Sequence, residues 1–395
     1  MALLTLSRGA VAALIGLGFA SLHLFGESNT LFPTIVEHRD KHLLPTHNTW
    51  TTKSFPTSFT GYDSPDSLLS TLLVFFWPIV DGENPAASLI GFVFGAQGVA
   101  FWTVMVLEGL RNMNSGRVVS FTTAWGLLIQ VVGLAVIGPV YLTLYLFTSP
   151  LIISAKALTP SDLAIPEGLL TGIPFGTIIG LILPTVLMSL PAPSMLSVSS
   201  KITAILVWQP FPLWVTVYTF IWKAVFWPTI TYQSEADALA NQLPLLRHVY
   251  KFALAISVPA HLATMTLSLC AGVFCPGMFT VFAQSELNPL SVFIPPNPFS
   301  DTKAATVAEG AKWFLQYDYS IFATAFLIWA LASRYAKPVA GASHGDSNSI
   351  GIGTVLDLVG RVALLGPFAT ALTLIWDRDE AVFAGASAVS AKKSA

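Results

Sequence analysis

Four carboxylates, Asp81, Glu83, Glu108 and Asp318, sit within or at the ends of long apolar runs. An ionisable side chain at membrane depth costs enough free energy that each is a functional candidate. Asp81 and Glu83 follow Trp77-Pro78-Ile79-Val80, Glu108 closes an apolar run, and Asp318 lies within Gln316-Tyr317-Asp318-Tyr319. A carboxylic acid held next to a second hydrogen-bonding acid can protonate an epoxide or an alkene in an apolar pocket, because desolvation favours its neutral form. Gln130, and Asp357 close to Arg361, are further polar groups in apolar runs. Trp77, Trp102, Trp125, Tyr141 and Tyr317 offer ring faces that would stabilise a carbocation. Each set also has a purely structural reading. Asp81 and Glu83 would cap a helix junction, Glu108 would pair with Arg111, and most of the aromatics would form interfacial belts.

The elements that must carry these groups follow from composition. Charged residues make up 10% of the 395 and hydrophobic ones 54%, and the mean hydropathy is +0.68. A soluble protein carries about 25% charged residues, so an ordinary soluble enzyme is excluded. Hydropathy predicts an all-α, polytopic transmembrane bundle of eight or nine spans, treated as one domain over 1–395. The runs lie near Leu3 to Leu24, Leu68 to Val80, Ala87 to Leu110, Phe121 to Phe147, Gly172 to Leu190, Ile202 to Trp227, Phe252 to Phe282, Trp313 to Leu331 and Thr354 to Trp376. Prolines inside several of them, such as Pro139, Pro174 and Pro259, kink the helices. Longer polar or Pro-rich loops are expected at 26–66 and 283–312, and a cytosolic tail at 377–395. His38, His42 and His47 fall in the first loop and read as solvated rather than as a metal site.

The tail ends Lys392-Lys393-Ser394-Ala395, the pattern of a dilysine retrieval signal for the endoplasmic reticulum, read from the cytosol. Nine spans with a cytosolic carboxyl end put Arg111, Lys201 and Arg378 among the cytosolic cations. Alternation then places Glu108, Gln130 and Asp318 in one leaflet, where they could meet, with Asp81, Glu83 and Asp357 in the other. Asp377-Arg378-Asp379-Glu380 reads as a surface cluster beyond the last span. The net charge of −2 points away from nucleic acid. No aspartate-rich diphosphate motif, phosphate-binding loop, dinucleotide fingerprint or nucleophile elbow occurs, so no cofactor or metal is expected.

The stretch from Phe75 through Trp77-Pro78-Ile79-Val80-Asp81-Gly82-Glu83-Asn84 to Pro85 carries a resemblance, with Glu108-Gly109-Leu110-Arg111. So do Trp125-Gly126-Leu127, Tyr141, Thr148-Ser149-Pro150 and Leu315-Gln316-Tyr317-Asp318-Tyr319. Together they resemble fungal integral-membrane terpene cyclases of the ascofuranone and ascochlorin type, over about Leu68 to Trp376. The resemblance implies an endoplasmic-reticulum enzyme of meroterpenoid biosynthesis acting on a hydrophobic prenylated molecule. It would cyclise an epoxidised farnesyl chain on an aromatic core by class II chemistry, an isomerisation without redox, metal or cofactor. Glu108, Asp318, Asp81 and Glu83 are the expected acids. Gln130, Trp77, Trp102, Trp125, Tyr141, Tyr317 and Asp357 are the expected lining. The rival expectations are a small-molecule or lipid transporter, favoured by the Pro-broken spans, and a non-catalytic membrane protein.

Overall fold

The computed structural model describes the backbone of residues 2–45, 54–56, 58–227, 235–335 and 350–394. His47 and Ala395 lie outside the described residues, as do the side chains of Lys392, Lys393 and Ser394. Among the described residues the chain is helical and carries no β-strand, apart from one isolated bridge between Leu43 and Ser54. In chain order the principal helices are α1 (Ala2–Ser28), α2 (Leu31–Asp40), α3 (Asp63–Val80) and α4 (Pro85–Leu110). Next come α5 (Thr122–Val132), α6 (Leu134–Thr148), α7 (Pro160–Ser189), α8 (Val198–Trp208) and α9 (Phe211–Phe226). The last four are α10 (Asn241–Phe274), α11 (Val307–Tyr335), α12 (Ile352–Leu365) and α13 (Pro367–Ser394).

Five of these, α1, α4, α7, α10 and α11, are long and apolar enough to cross a membrane, or six spans if the bent pair α8 and α9 counts as one. The expected count of eight or nine Pro-kinked spans is therefore not reached by helices of spanning length among the described residues. Three of the apolar runs are interrupted. The fourth divides into α5 and α6 at Gly133, whose φ of 104° is open to glycine at little cost. The ninth divides into α12 and α13 at Gly366, with φ 85°, where a Cβ would fall 2.6 Å from the Gln97 amide nitrogen. The sixth bends by 72° between α8 and α9, at Gln209-Pro210, where proline lacks the N–H that would continue the helix.

Gln97 of α4 secures the second of these breaks. Its Nε2 donates to the carbonyls of Ser257 (3.0 Å) and Leu365 (2.9 Å), and its Oε1 accepts from the N–H groups of Phe368 (3.0 Å) and Ala369 (3.1 Å). One side chain thus satisfies backbone groups that the interruption frees, as a non-aqueous surrounding requires.

Glycines set the closest helix approaches. On α7, Gly172, Gly176 and Gly180 recur every fourth residue and lie against the α9 backbone at Val215 and Thr219. Small residues at this spacing let helix backbones touch. Helix α11 occupies the middle of the bundle, with 67% of its apolar window buried against 33% for α1 and α10. The 26–66 segment is not merely a solvated loop, because α2 packs there through buried Leu31 and Ile35.

Candidate active site

Glu108, at the end of α4, is fully buried in a network of charged and phenolic groups. Its Oε1 accepts from Arg378 Nη2 at 2.7 Å and Arg111 Nε at 3.3 Å, and its Oε2 accepts from Arg378 Nη1 at 3.2 Å and from the Tyr145 hydroxyl. Asp379 completes the group. Its Oδ2 accepts from Arg111 Nη2 (2.5 Å) and the Tyr250 hydroxyl (2.7 Å), and its Oδ1 from Arg378 Nη2 (2.8 Å). Two carboxylates facing two guanidiniums sum to no net charge, the condition under which ions survive burial. Both oxygens of Glu108 are occupied by donors, so this side chain has no free position from which to hand a proton to a substrate.

The pairing with Arg111 follows the structural reading of the sequence, but Arg378 and Asp379 do not lie on a surface. They are buried to within 2% of full exclusion. Along α13 the helical period turns Asp377 outward to Arg361 (2.7 Å) and Glu380 outward to Arg247 (2.6 Å), while 378 and 379 face inward. Lys201, expected among the cytosolic cations, is likewise enclosed. Its Nζ donates to the carbonyls of Val80 (2.5 Å) and Leu190 (2.9 Å), closing the carboxyl end of α3.

Asp81 and Glu83 occupy the turn between α3 and α4, where Asp81 Oδ1 accepts from the Glu83 N–H at 2.9 Å and Gly82 takes φ 83°. This is the helix-junction geometry. Asp357 lies on the outer side of α12, half-exposed and paired with Arg361 at 2.9 Å. Neither arrangement brings these acids to Glu108 or Asp318.

Glu108 and Asp318 are also separate, contrary to the expected meeting in one leaflet. Asp318 touches Ala135 at the start of α6, whereas Glu108 touches Tyr145 ten residues later, about 15 Å along a helix. Counting 121–147 as one span missed this, because the run folds back at Gly133 and α6 returns Tyr141 to the Val119 carbonyl ahead of α5 and Tyr145 to Glu108.

Asp318 has a different environment. It is 6% exposed, and its Oδ1 accepts the Ala135 N–H at 2.6 Å, satisfying a donor at the amino end of α6. No Lys, Arg or His among the described residues forms an ion pair with it, whereas Glu108 has two. The Leu134 main chain is a second hydrogen-bond partner of this carboxyl, so its contacts come from the backbone at the start of α6 and none from a cation. The surrounding cluster is apolar and aromatic: Leu22, Phe25, Val136, Trp313, Tyr317 and Ile321. Phe25 stacks on Trp313 with centroids 6.1 Å apart and meets Tyr317 edge-on at 6.0 Å.

Gly133 is the pivot of this site. Sequence reasoning passed over it and over His23, whose Nε2 lies 2.9 Å from the Val132 carbonyl on the other side of the same break. A Cβ at Gly133 would stand 2.6 Å from Leu22 Cδ1 and 3.4 Å from Asp318 Oδ1. Gly133→Ala is therefore expected to lower stability by about 1–3 kcal/mol from backbone strain, and to disturb the Asp318 contact. A fluorescence melt of purified protein measures it, and an unchanged midpoint would deny the strain.

The remaining predicted residues divide by the fate of their polar atoms. Trp125 donates to the Val118 carbonyl (2.9 Å) and Tyr141 to that of Val119 (3.3 Å), so both brace the loop before α5. Tyr317 donates to the Pro296 carbonyl. Trp77 is buried, with Lys201 Nζ 5.8 Å from its ring centroid. Gln130 Nε2 donates to the Gln209 carbonyl (2.9 Å), and Trp102 is buried with its indole N–H unpartnered. Among the described residues, no three His, Cys, Asp or Glu side chains are grouped to hold a metal ion.

A family model described as the CtvD domain matches residues 7–383. Terpene cyclase ascI of Acremonium egyptiacum is 35% identical over 373 residues, covering 94% of this chain and 90% of its own. Terpene cyclase janA of Penicillium janthinellum is 30% identical over 318 residues, 80% of this chain and 79% of its own. Terpene cyclase penA of Penicillium crustosum is 28% identical over 324 residues, 80% and 82% respectively. No solved structure matches the chain. With the match running over nearly the whole sequence, the chain belongs to the CtvD-domain family, alongside fungal proteins named terpene cyclases.

Proposed function

We propose that this protein is a membrane-bound class II terpene cyclase that isomerises an epoxidised farnesyl chain carried on an aromatic core, with Asp318 as its proton donor. The observation that carries the reading is the contrast between two buried acids. Glu108 is held on both oxygens by guanidinium and phenol donors, while Asp318 has no cationic partner among the described residues and meets backbone N–H groups at the start of α6 beside an aromatic cluster. A desolvated carboxyl without a cation favours its neutral, proton-donating form.

In the proposed step the Asp318 proton passes to the oxirane oxygen, one C–O bond breaks, and that oxygen becomes a hydroxyl. The tertiary cation left behind is attacked by an alkene π bond of the same chain, forming a ring C–C bond. Loss of a proton, or capture by a substrate oxygen with loss of its proton, ends the sequence, and the proton balance returns the acid to its starting form. Product and substrate have equal mass. The faces of Phe25, Trp313 and Tyr317 favour the cation along its path. The names of the fungal relatives support the terpene class.

The test is to incubate membranes holding the protein, without added metal or nucleotide, with an epoxyfarnesyl phenol. A new isomer of unchanged mass, seen by chromatography and mass spectrometry, is expected. Unchanged substrate over a panel of cores, with flux of the same compounds in proteoliposomes, would replace catalysis by transport.

A further inference from the structure

The 72° bend between α8 and α9 contains a group that no part of the proposed acid chemistry uses. Gln209 is 4% exposed, and both Oε1 and Nε2 of its side chain are sealed from solvent without a hydrogen-bond partner. Its main-chain carbonyl is taken by Gln130 Nε2 at 2.9 Å, so the neighbouring amide leaves the Gln209 side chain unsatisfied. Trp102 of α4 is in the same condition, 1% exposed with its indole N–H unpartnered.

The two belong to one neighbourhood. The Trp102 ring meets Phe211, two residues after Gln209, edge-on at 5.2 Å, and Phe211 lies 5.6 Å from the Trp208 ring. From α5, Gly126 fits between Trp102 and Pro212, where a Cβ would stand 2.5 Å and 2.7 Å from them, and Gln130 is one turn further along. Trp208 itself is satisfied, since its indole donates to Thr185 Oγ1 at 2.8 Å. The unpartnered groups beside these aromatic rings thus include one carboxamide and one indole N–H.

An unpaired buried amide costs about 1–3 kcal/mol, and an isosteric apolar residue would avoid that cost. Retaining such groups at an interrupted membrane helix is the pattern of a ligand subsite. We infer that Gln209 and the Trp102 indole form a subsite for a phenolic hydroxyl on the ring of the substrate. The complementarity is specific. A phenol oxygen accepts from the Trp102 and Gln209 Nε2 donors, and its proton goes to Gln209 Oε1. A hydrocarbon ring would leave all three unpaired. The ring assignment rests on the cyclase reading, but the preference for a hydroxylated ligand can be measured without turnover.

The experiment is equilibrium binding of 2-farnesylresorcinol and of farnesylbenzene to the purified full chain in detergent, for the parent, Gln209→Leu and Trp102→Phe. The parent is expected to prefer the resorcinol at least about tenfold, equivalent to about 1.4 kcal/mol. Gln209→Leu should bring the two ligands to within about twofold while leaving the melting temperature equal or higher, because it removes an unsatisfied amide. Trp102→Phe should lower the preference without abolishing binding of the hydrocarbon. A Gln209→Leu protein that keeps the full preference overturns the subsite, as does a parent with no preference. If the preference is lost as expected but no isomer forms from any epoxide, the cyclase reading fails and the subsite stands.

Discussion

Asp318→Asn is expected to reduce product formation by about 10²–10⁴-fold, the range lost with a general acid, and to leave the protein folded. The amide keeps an oxygen in place of Oδ1, which accepts the Ala135 N–H that the carboxylate now accepts at 2.6 Å. What it cannot do is release a proton to an oxirane. Asp318→Leu separates the two roles, because it also strands the Ala135 donor and so carries an added cost of about 1–3 kcal/mol. Isomer yield by mass spectrometry and a thermal melt on the same preparations make the comparison. Normal yield from Asp318→Asn would move the acid elsewhere and leave Asp318 as the cap of α6.

Glu108→Gln should act through folding. Removing that charge leaves Arg111 and Arg378 sharing Asp379 alone in a site from which solvent is excluded. Breaking a buried pair by deleting one partner costs about 3–5 kcal/mol, a large part of the about 5–15 kcal/mol that holds a typical domain together. Little monodisperse protein is expected on size-exclusion chromatography in detergent. Combining it with Arg378→Gln should restore much of the yield, since Arg111 and Asp379 then remain as a neutral pair at 2.5 Å. If Glu108→Gln were stable yet inactive, Glu108 would regain its place as a catalytic candidate and the structural assignment would fall.

Composition alone announced an all-helical membrane chain, and the i, i+3 spacing of Glu108 and Arg111 was enough to suggest their ion pair. The partners from α13 were hidden by sequence distance. Nothing in Asp377-Arg378-Asp379-Glu380 says that the middle two face inward, although the helical period separates them from the outer two once α13 is known to continue past Trp376. The breaks were obscure for another reason. Gly133 and Gly366 interrupt helices, whereas Gly126 and Gly138 sit inside helices and accommodate the rings of Trp102 and Phe322. A glycine in an apolar run serves either purpose, and only the facing side chain decides which. The leaflet count failed at that point, and with it the expected meeting of Glu108 with Asp318.

The four-charge network also bears on how the chain is made. Glu108 and Arg378 are 270 positions apart, so at about 5–20 residues per second the ribosome works for tens of seconds after the first acid emerges before its counter-ion exists. During that interval Glu108 has only Arg111 beside it in sequence, and the seat that α13 will fill stays open. The charge network therefore closes as a late event, when α13 delivers both Arg378 and Asp379. A chain truncated before 378 loses one cation and one anion together, so Glu108 and Arg111 remain as a pair whose other donors and acceptors are missing, however well the twelve helices before α13 have formed.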